Sequence, residues 1–259
     1  MDDVDVADAA GAVREFLADY RDDAGAEGYV VGVSGGVDSA VAATLAARAV
    51  GPENVLGLVM PGEPSDPSNV ADARDRCDSL GIRWREVDVS GIVADCRDAA
   101  GADLDLGPEA VGNARARVRM VLWYQAANAR DLLVLGADNR SEVRLGYFTK
   151  HGDGATDVRA LADLYKTEVY DLARLLDLPE TFLEKEPTAG LWEGQTDREE
   201  IGVPYETVDP VLFSLYEADR SVAETVAAVD ADRETVERLR EMVEATEHKR
   251  TPPPSPGLR

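Results

Sequence analysis

The stretch Tyr29 to Ser39, YVVGVSGGVDS, restricts the fold more than any other part of the chain. Tyr29, Val30, Val31 and Val33 form a β-branched and aromatic run that predicts a buried strand. Ser34-Gly35-Gly36-Val37-Asp38-Ser39 must then turn sharply into a helix over Ala40 to Val50. Paired glycines permit positive φ and close backbone approach, so successive N–H groups and a helix N-terminus can point at an anion. The Ser34 and Ser39 hydroxyls add donors, which makes the turn a phosphate cradle. No lysine follows, as one would in a Walker A loop. Asp38 stands in the first helical turn instead, and a bare carboxylate there repels phosphate unless a divalent cation bridges the two, which implies Mg²⁺. Read by itself, the hexapeptide also fits an ordinary Gly-Ser turn with Asp38 as a helix-start residue.

Around this turn, strand and helix alternate. The spacing of Val6, Ala10, Val13, Phe16, Leu17 and Tyr20 predicts an amphipathic helix over residues 4 to 20. Asn54 to Met60 reads as a second strand, Asp66 to Leu80 as a helix, and Ile82 to Val89 as a third strand. Pro108 opens a long helix to Arg130, with Asn113 and Arg117 four apart on one face, and DLLVLG (Asp131 to Gly136) is a fourth strand. The polar run Asp138 to Glu142 follows it. This rhythm predicts an α/β fold: a doubly wound, mostly parallel sheet with helices on both faces and ligands at the carboxyl ends of the strands. Leu58 and Met60 would then be either core or an apolar wall for a base. Further helices are expected over Leu164 to Leu176, Val208 to Ala218, Ser221 to Ala228 and Asp232 to Thr246. Glu186 to Pro204 has little periodicity and reads as a lid or a solvated crossover. One domain is expected over residues 1–250, followed by a Pro-rich, disordered tail at 251–259.

Composition excludes several function classes. The 259 residues carry 51 acidic and 27 basic side chains, a formal charge of −24, which disfavours any nucleic-acid partner. No apolar run is long enough for a bilayer and the N-terminus is acidic where a secretory signal is basic, so no membrane partner is expected and the cytoplasm is the predicted location. Cys77 and Cys96 have neither CxxC nor ligand spacing and read as buried spectator thiols. Only Lys150, Lys166, Lys185 and Lys249 are lysines, which enriches those four for positions where a compact ammonium is chemically required.

The hexapeptide matches SGGxDS, the pyrophosphate loop of ATP pyrophosphatases. Beyond it, Gly136 to Glu142, GYFTKHGDGATD, LYKTEV, EPTAGL, GQTD and EHKR resemble the NAD synthetases in order and spacing over nearly the whole chain. The resemblance implies the Rossmann-like ATP pyrophosphatase fold and amidation of nicotinic acid adenine dinucleotide (deamido-NAD) to NAD. The steps are ATP-dependent formation of an acyl-adenylate, release of pyrophosphate, and attack by ammonia with release of AMP. Gly32, Val33, Ser34, Gly35, Gly36, Val37, Asp38 and Ser39 match the ATP loop, and Lys166 and Thr188 match further ATP ligands. Asp38 and Glu142 match the Mg²⁺ ligands. Arg117, Lys150, Asp157, His248 and Lys249 match positions that hold deamido-NAD, with Asn113 beside Arg117 as a further candidate. Lys166 is also a catalytic candidate through charge neutralisation, and Asp153 is one as a base for ammonium. Ala137 replaces a threonine usual at an ATP-contacting position, so that hydroxyl contact is lost. Glutamine-dependent relatives carry a separate amidase domain, and this synthetase-like region begins about thirty residues into the chain, which implies free ammonia as donor unless a separate subunit delivers it. The resemblance also implies a homodimer, with the Pro108 helix as candidate contact. The alternatives are another amidating ATP pyrophosphatase or a non-catalytic ATP-binding regulator.

The spread of acidic residues and the replacement of lysine by arginine predict a surface adapted to concentrated salt, and a halophilic archaeal source. Thermal and circular-dichroism titrations in KCl should show the fold gaining stability from dilute buffer to molar salt. Equal stability at both ends would count against that reading.

Overall fold

The computed structural model describes residues 4–101, 104 and 106–257. In chain order these form α1 (Val6–Ala24), β1 (Gly28–Gly32), α2 (Val37–Val50), β2 (Val55–Val59), α3 (Pro67–Leu80), β3 (Arg83–Glu86), α4 (Ser90–Ala100) and α5 (Pro108–Arg130). Then come β4 (Leu132–Gly136), α6 (Arg140–Leu145), β5 (Val158–Arg159), α7 (Lys166–Leu175), α8 (Glu180–Leu183) and α9 (Asp197–Ile201). The last elements are α10 (Tyr205–Tyr216), α11 (Val222–Ala228), α12 (Arg233–Ala245) and α13 (Glu247–Arg250).

The strands pair in parallel in the order β3-β2-β1-β4-β5. Successive side chains of β1 point to opposite faces: Tyr29 and Val31 enter a core with Leu17 of α1, the apolar face of α2, Ala73 and Cys77 of α3, and Val169 and Leu172 of α7. Val30 enters the other core, with Leu56, Leu58 and Met60, Val93 of α4, and Val118 and Ala127 of α5. Both faces are therefore covered, which is why β1, β2 and β4 read as nearly continuous apolar runs, while the edge strand β3 is charged and largely exposed. A third cluster joins α6, α10 and α12 through Leu145, Val208, Leu212, Val236 and Leu239. Leu58 and Met60 are core residues.

The direction of strand order reverses between β1 and β4, and a parallel sheet opens a crevice at such a switch point. The loops leaving these two strands are the SGGVDS turn and the Asp138 to Glu142 run. A buried carboxylate fixes the elements around that crevice. Asp209 of α10, fully buried, accepts from the Ser141 hydroxyl at 2.5 Å and from the Thr167 N–H and hydroxyl at 2.9 Å each. The Ser141 oxygen in turn accepts from Lys166 N–H at 3.0 Å. One side chain thus holds the N-terminal turn of α7 against α6. Burial pushes the Asp209 carboxyl up to about 6, while these donors pull it down.

The structure differs from the sequence reading in detail. α2 begins at Val37, three residues before the expected Ala40, because Gly36 takes extended backbone and serves as N-cap. Helical periodicity does not reveal α4, α6, α8, α9 or α13, which are short or have narrow apolar faces, nor the two-residue β5. Cys77 is buried as expected, but Cys96 is exposed, because α4 buries only Val93. Thr251 to Gly257 carry no helix or strand and lie exposed; the rest of the expected tail, Leu258 and Arg259, lies outside the described residues. Among the described residues, no helix is long and apolar enough to cross a membrane.

Asp209→Ala leaves the Ser141 and Thr167 donors unpaired in the interior and should cost about 3 kcal/mol of stability, read as a lower midpoint in chemical denaturation. A variant as stable as the wild type would show that the network is dispensable.

Candidate active site at the sheet switch point

The turn after β1 is held by its own serines. Ser34 N–H donates to Ser39 Oγ at 3.1 Å, the two hydroxyls lie 3.1 Å apart, and Ser39 Oγ donates to Gly36 O at 3.0 Å. Gly35 sits at φ 82°, and a Cβ there would stand 2.1 Å from Asn69 O on α3, so only glycine fits. With α2 starting at Val37, Asp38 falls in the first helical turn and faces the loop that leaves β4.

There the Asn139 amide donates to Asp38 Oδ1 at 2.9 Å, and the Lys166 ammonium donates to Asp38 Oδ2 at 2.5 Å. Glu142 Oε1 is 3.5 Å from the same ammonium. Its orientation comes from a capping box at the start of α6: Glu142 N–H donates to the Asn139 side chain at 3.0 Å and Asn139 N–H to Glu142 Oε2 at 3.2 Å. Burial opposes the charge of Lys166, which is 3% exposed, but Asp38 and Glu142 outweigh it and hold the ammonium above the usual lysine range. Burial likewise raises Glu142 well above the carboxylate range, with Lys166 pulling the other way. The cluster joins the starts of α2 and α6, the helices that follow β1 and β4, to a lysine delivered by α7.

Lys166 also stands 5.4 Å over the Tyr205 ring, and Tyr205 donates to Asp197 Oδ2 at 2.9 Å. A cavity of about 450 Å³ opens beside it between α7, α10 and the 184–204 segment, with Thr167, Tyr170, Lys185, Asp197 and Tyr205 on its wall. That segment folds compactly. Gln195 accepts from Leu191 N–H at 2.7 Å and donates to Glu200 at 2.8 Å, and Arg115 of α5 donates to Leu191 O. Thr188 lies within it, exposed, its hydroxyl donating to Gln195 O at 2.6 Å; these contacts do not bring it to the Asp38 cluster.

A second group gathers on the loop from Gly146 to Asp153. The Thr149 hydroxyl donates to Asn113 Oδ1 at 2.7 Å, and Arg117 donates to Lys150 O at 3.2 Å. Lys249 donates to Gly146 O at 2.8 Å and Phe148 O at 3.0 Å, while Lys150 donates to His248 O at 2.5 Å. Helix α13 thereby folds back over the loop, and burial lowers the Lys249 ammonium below its usual range. Asp153 accepts from Thr149 N–H at 3.1 Å, yet burial still raises its carboxyl. Asp138 is pushed up to about 8, first by burial and then by Asp153. Its Oδ2 has no hydrogen-bond partner, the Arg159 guanidinium standing 3.6 Å away. Asp157 stands apart: it accepts from Val134 N–H at 2.7 Å and the Tyr124 hydroxyl at 3.1 Å and braces the edge of β4. Ala137 packs half-buried against the main core.

Sequence reasoning passed over Asn139 and Asp138. The Asn-x-x-Glu spacing of a capping box was the available signal for the first; the second shows itself only through its burial.

Asp38 and Glu142 suit a hard divalent cation. Two carboxylates from the first turns of separate helices converge on one ammonium, so the crevice already demands positive charge. Among the described residues no three His, Cys, Asp or Glu form a cage, so such a cation would take its other ligands from phosphates and water, as Mg²⁺ does.

Comparison with known proteins agrees with this geometry. The family model described as NAD synthase matches residues 10–253. The NH₃-dependent NAD⁺ synthetase of Thermococcus kodakarensis is 44% identical over 248 residues, 96% of each chain. Among solved structures, the NMN synthetase of Francisella tularensis superposes with a TM-score of 0.87 at 31% identity, covering 99% of this chain and 100% of that one. The NH₃-dependent NAD synthetase of Campylobacter jejuni gives 0.81 at 29% identity over 98% and 99%. A glycine-paired cradle, an acidic pair around a buried lysine and agreement along the whole length lead to one conclusion: the chain belongs to the NAD synthase family.

Proposed function

We infer that the protein amidates deamido-NAD to NAD with ATP and ammonia. The observation that carries this reading beyond family membership is the Lys166–Asp38–Glu142 cluster, set at the switch point beside the anion-cradling turn. Both carboxylates are kept, which speaks against a binding-only regulator. A nicotinate oxygen attacks the α-phosphorus of ATP; the new O–P bond forms as the bond to the β-phosphate oxygen breaks, and pyrophosphate leaves. The chain supplies no nucleophile. The N–H groups of the Gly32 to Ser39 turn and the Lys166 ammonium stabilise the charge that grows on the leaving pyrophosphate, and they are already positioned before it develops. Mg²⁺, held by Asp38 and Glu142, would neutralise phosphate charge and orient the leaving group. Thr188 would reach ATP from the lid, and Ala137 contributes backbone alone.

Asn113, Arg117, Lys150, Asp157, His248 and Lys249 are assigned to deamido-NAD. All but Asp157 belong to the group at the Gly146 to Asp153 loop. Ammonia then attacks the acyl-adenylate carbonyl, a C–N bond forms and AMP leaves. Asp153 would accept the proton released from ammonium; its raised proton affinity suits that task. A homodimer with α5 at the contact, in the cytoplasm, completes the reading. Because a structural neighbour is an NMN synthetase, the mononucleotide acid is the rival acceptor.

In molar KCl with ATP and Mg²⁺, deamido-NAD plus ammonium should yield NAD, AMP and pyrophosphate, with far less product when glutamine replaces ammonium or the mononucleotide acid replaces the dinucleotide. ATP binding without AMP formation under every condition would favour a regulator instead. Asp38→Ala should abolish pyrophosphate release, whereas Asp153→Asn should retain it and raise the ammonium requirement about tenfold or more. An Asp38→Ala enzyme that still releases pyrophosphate, or an Asp153→Asn enzyme with normal ammonium dependence, would remove that residue from its role.

A further inference from the structure

Three of the four lysines have a role in the site described above; Lys185 stands only on the wall of its cavity. It follows α8 at the root of the 184–204 segment, three residues before Thr188. Its ammonium donates to Gly35 O at 3.0 Å and to Asp72 Oδ2 at 2.5 Å, and stands 5.4 Å over the Phe182 ring. Phe182 is buried in the main core, so the stem of the lysine starts from a fixed base. Its own carbonyl faces the Tyr170 hydroxyl of α7 at 3.5 Å.

The contact with Gly35 is to the backbone of the phosphate turn itself. The C=O and N–H of one planar peptide point in opposite directions, so gripping Gly35 O also sets the direction of Gly36 N–H. That N–H donates to Ser34 Oγ at 3.3 Å, and Ser34 Oγ lies 3.1 Å from Ser39 Oγ. The lysine therefore acts on the first link of the chain of contacts that shapes the cradle. A further constraint comes from α3, whose Asn69 carbonyl leaves no room for a Cβ at Gly35 and whose Asp72, one turn on, holds the same ammonium. The turn is thus bounded by α3, and its Gly35 carbonyl is held by a cation that α3 also grips. An exposed ion pair would contribute little, but here the lysine and aspartate side chains are only 26% and 23% exposed and the third partner is a loop carbonyl.

We propose that Lys185, held by Asp72, is a positioning residue that keeps the phosphate turn in its anion-binding shape and ties that shape to the root of the lid. The inference rests on the reading of the turn as the ATP site. Lys185 touches neither the Asp38 carboxylate nor the Glu142 one in the recorded contacts, and its effect on ATP passes through Gly35.

The test compares wild type, Lys185→Met, Lys185→Arg and Asp72→Asn in molar KCl. Calorimetry with Mg-ATP gives affinity without turnover, and steady-state kinetics separate the KM for ATP from that for deamido-NAD. Lys185→Met keeps the stem and loses the donor; it should weaken ATP binding and raise the ATP KM about tenfold, the equivalent of one charge-assisted hydrogen bond. The deamido-NAD KM and the melting temperature should stay near wild type. Lys185→Arg should recover most of the affinity, and Asp72→Asn should lose affinity in the same sense but less. Unchanged ATP affinity in Lys185→Met, or equal rises in both KM values with a lower melting temperature, would overturn the proposal and leave the function standing. Should Lys185→Met fail to fold, Asp72→Asn decides: wild-type ATP affinity there would overturn the proposal. Wild type that binds ATP but forms no NAD would overturn the proposed function alone, since calorimetry still reads the role of Lys185. Wild type that does not bind ATP would overturn both.

Discussion

The site is organised by a buried ammonium shared between two carboxylates. Lys166 comes from α7, Asp38 from the helix after β1 and Glu142 from the helix after β4, so three separately delivered side chains must meet within hydrogen-bond reach. In the interior each charge is costly without the others: removing one partner of a buried pair leaves the rest uncompensated, a penalty of about 3 to 5 kcal/mol. The surrounding structure is built to make the meeting obligatory. Asn139 caps its own helix and binds Asp38 with the same side chain, and Asp209 pins the start of α7 to α6 through Ser141 and Thr167.

Much of this frame was legible in the sequence. A strand that breaks into paired glycines and resumes as a helix admits few geometries, and the α5 boundaries at Pro108 and Arg130 follow from proline at the first turn and an aspartate in the left-handed region at the end. What stayed hidden depends on tertiary contacts. α6 has six residues, too few to display a period, and reads as a polar loop although its capping box and closing Gly146 are present. Asp209 and Asp138 look like any acidic residues in a chain with 51 of them; burial alone separates them from solvated neighbours. His248 and Lys249 stand out only through the family resemblance, because nothing local shows that α13 folds back over a distant loop.

The two halves of the site are held by different means. The phosphate turn and the acidic pair stand at the ends of β1 and β4, the turn held by its own serines and the pair by contacts among α2, α6 and α7. The Gly146 to Asp153 loop is fixed by Arg117 of α5 and Lys249 of α13, which donate to its carbonyls, and by its own Thr149 hydroxyl, which donates to Asn113. Lys150, Arg117 and Lys249, each bonded to a backbone carbonyl, bring positive charge to an otherwise acidic protein just there.

The span of those grips has a consequence for how the protein is made. Lys249 reaches Gly146 across 103 residues and Phe148 across 101. During synthesis the glycine-paired turn waits for Lys166 and Lys185, which reach Asp38 and Gly35 across 128 and 150 residues, and the loop waits longer, until Lys249 has been translated. The anion cradle and the loop that faces it therefore mature at different times, and a nascent chain passes through a stage in which the first exists without the second.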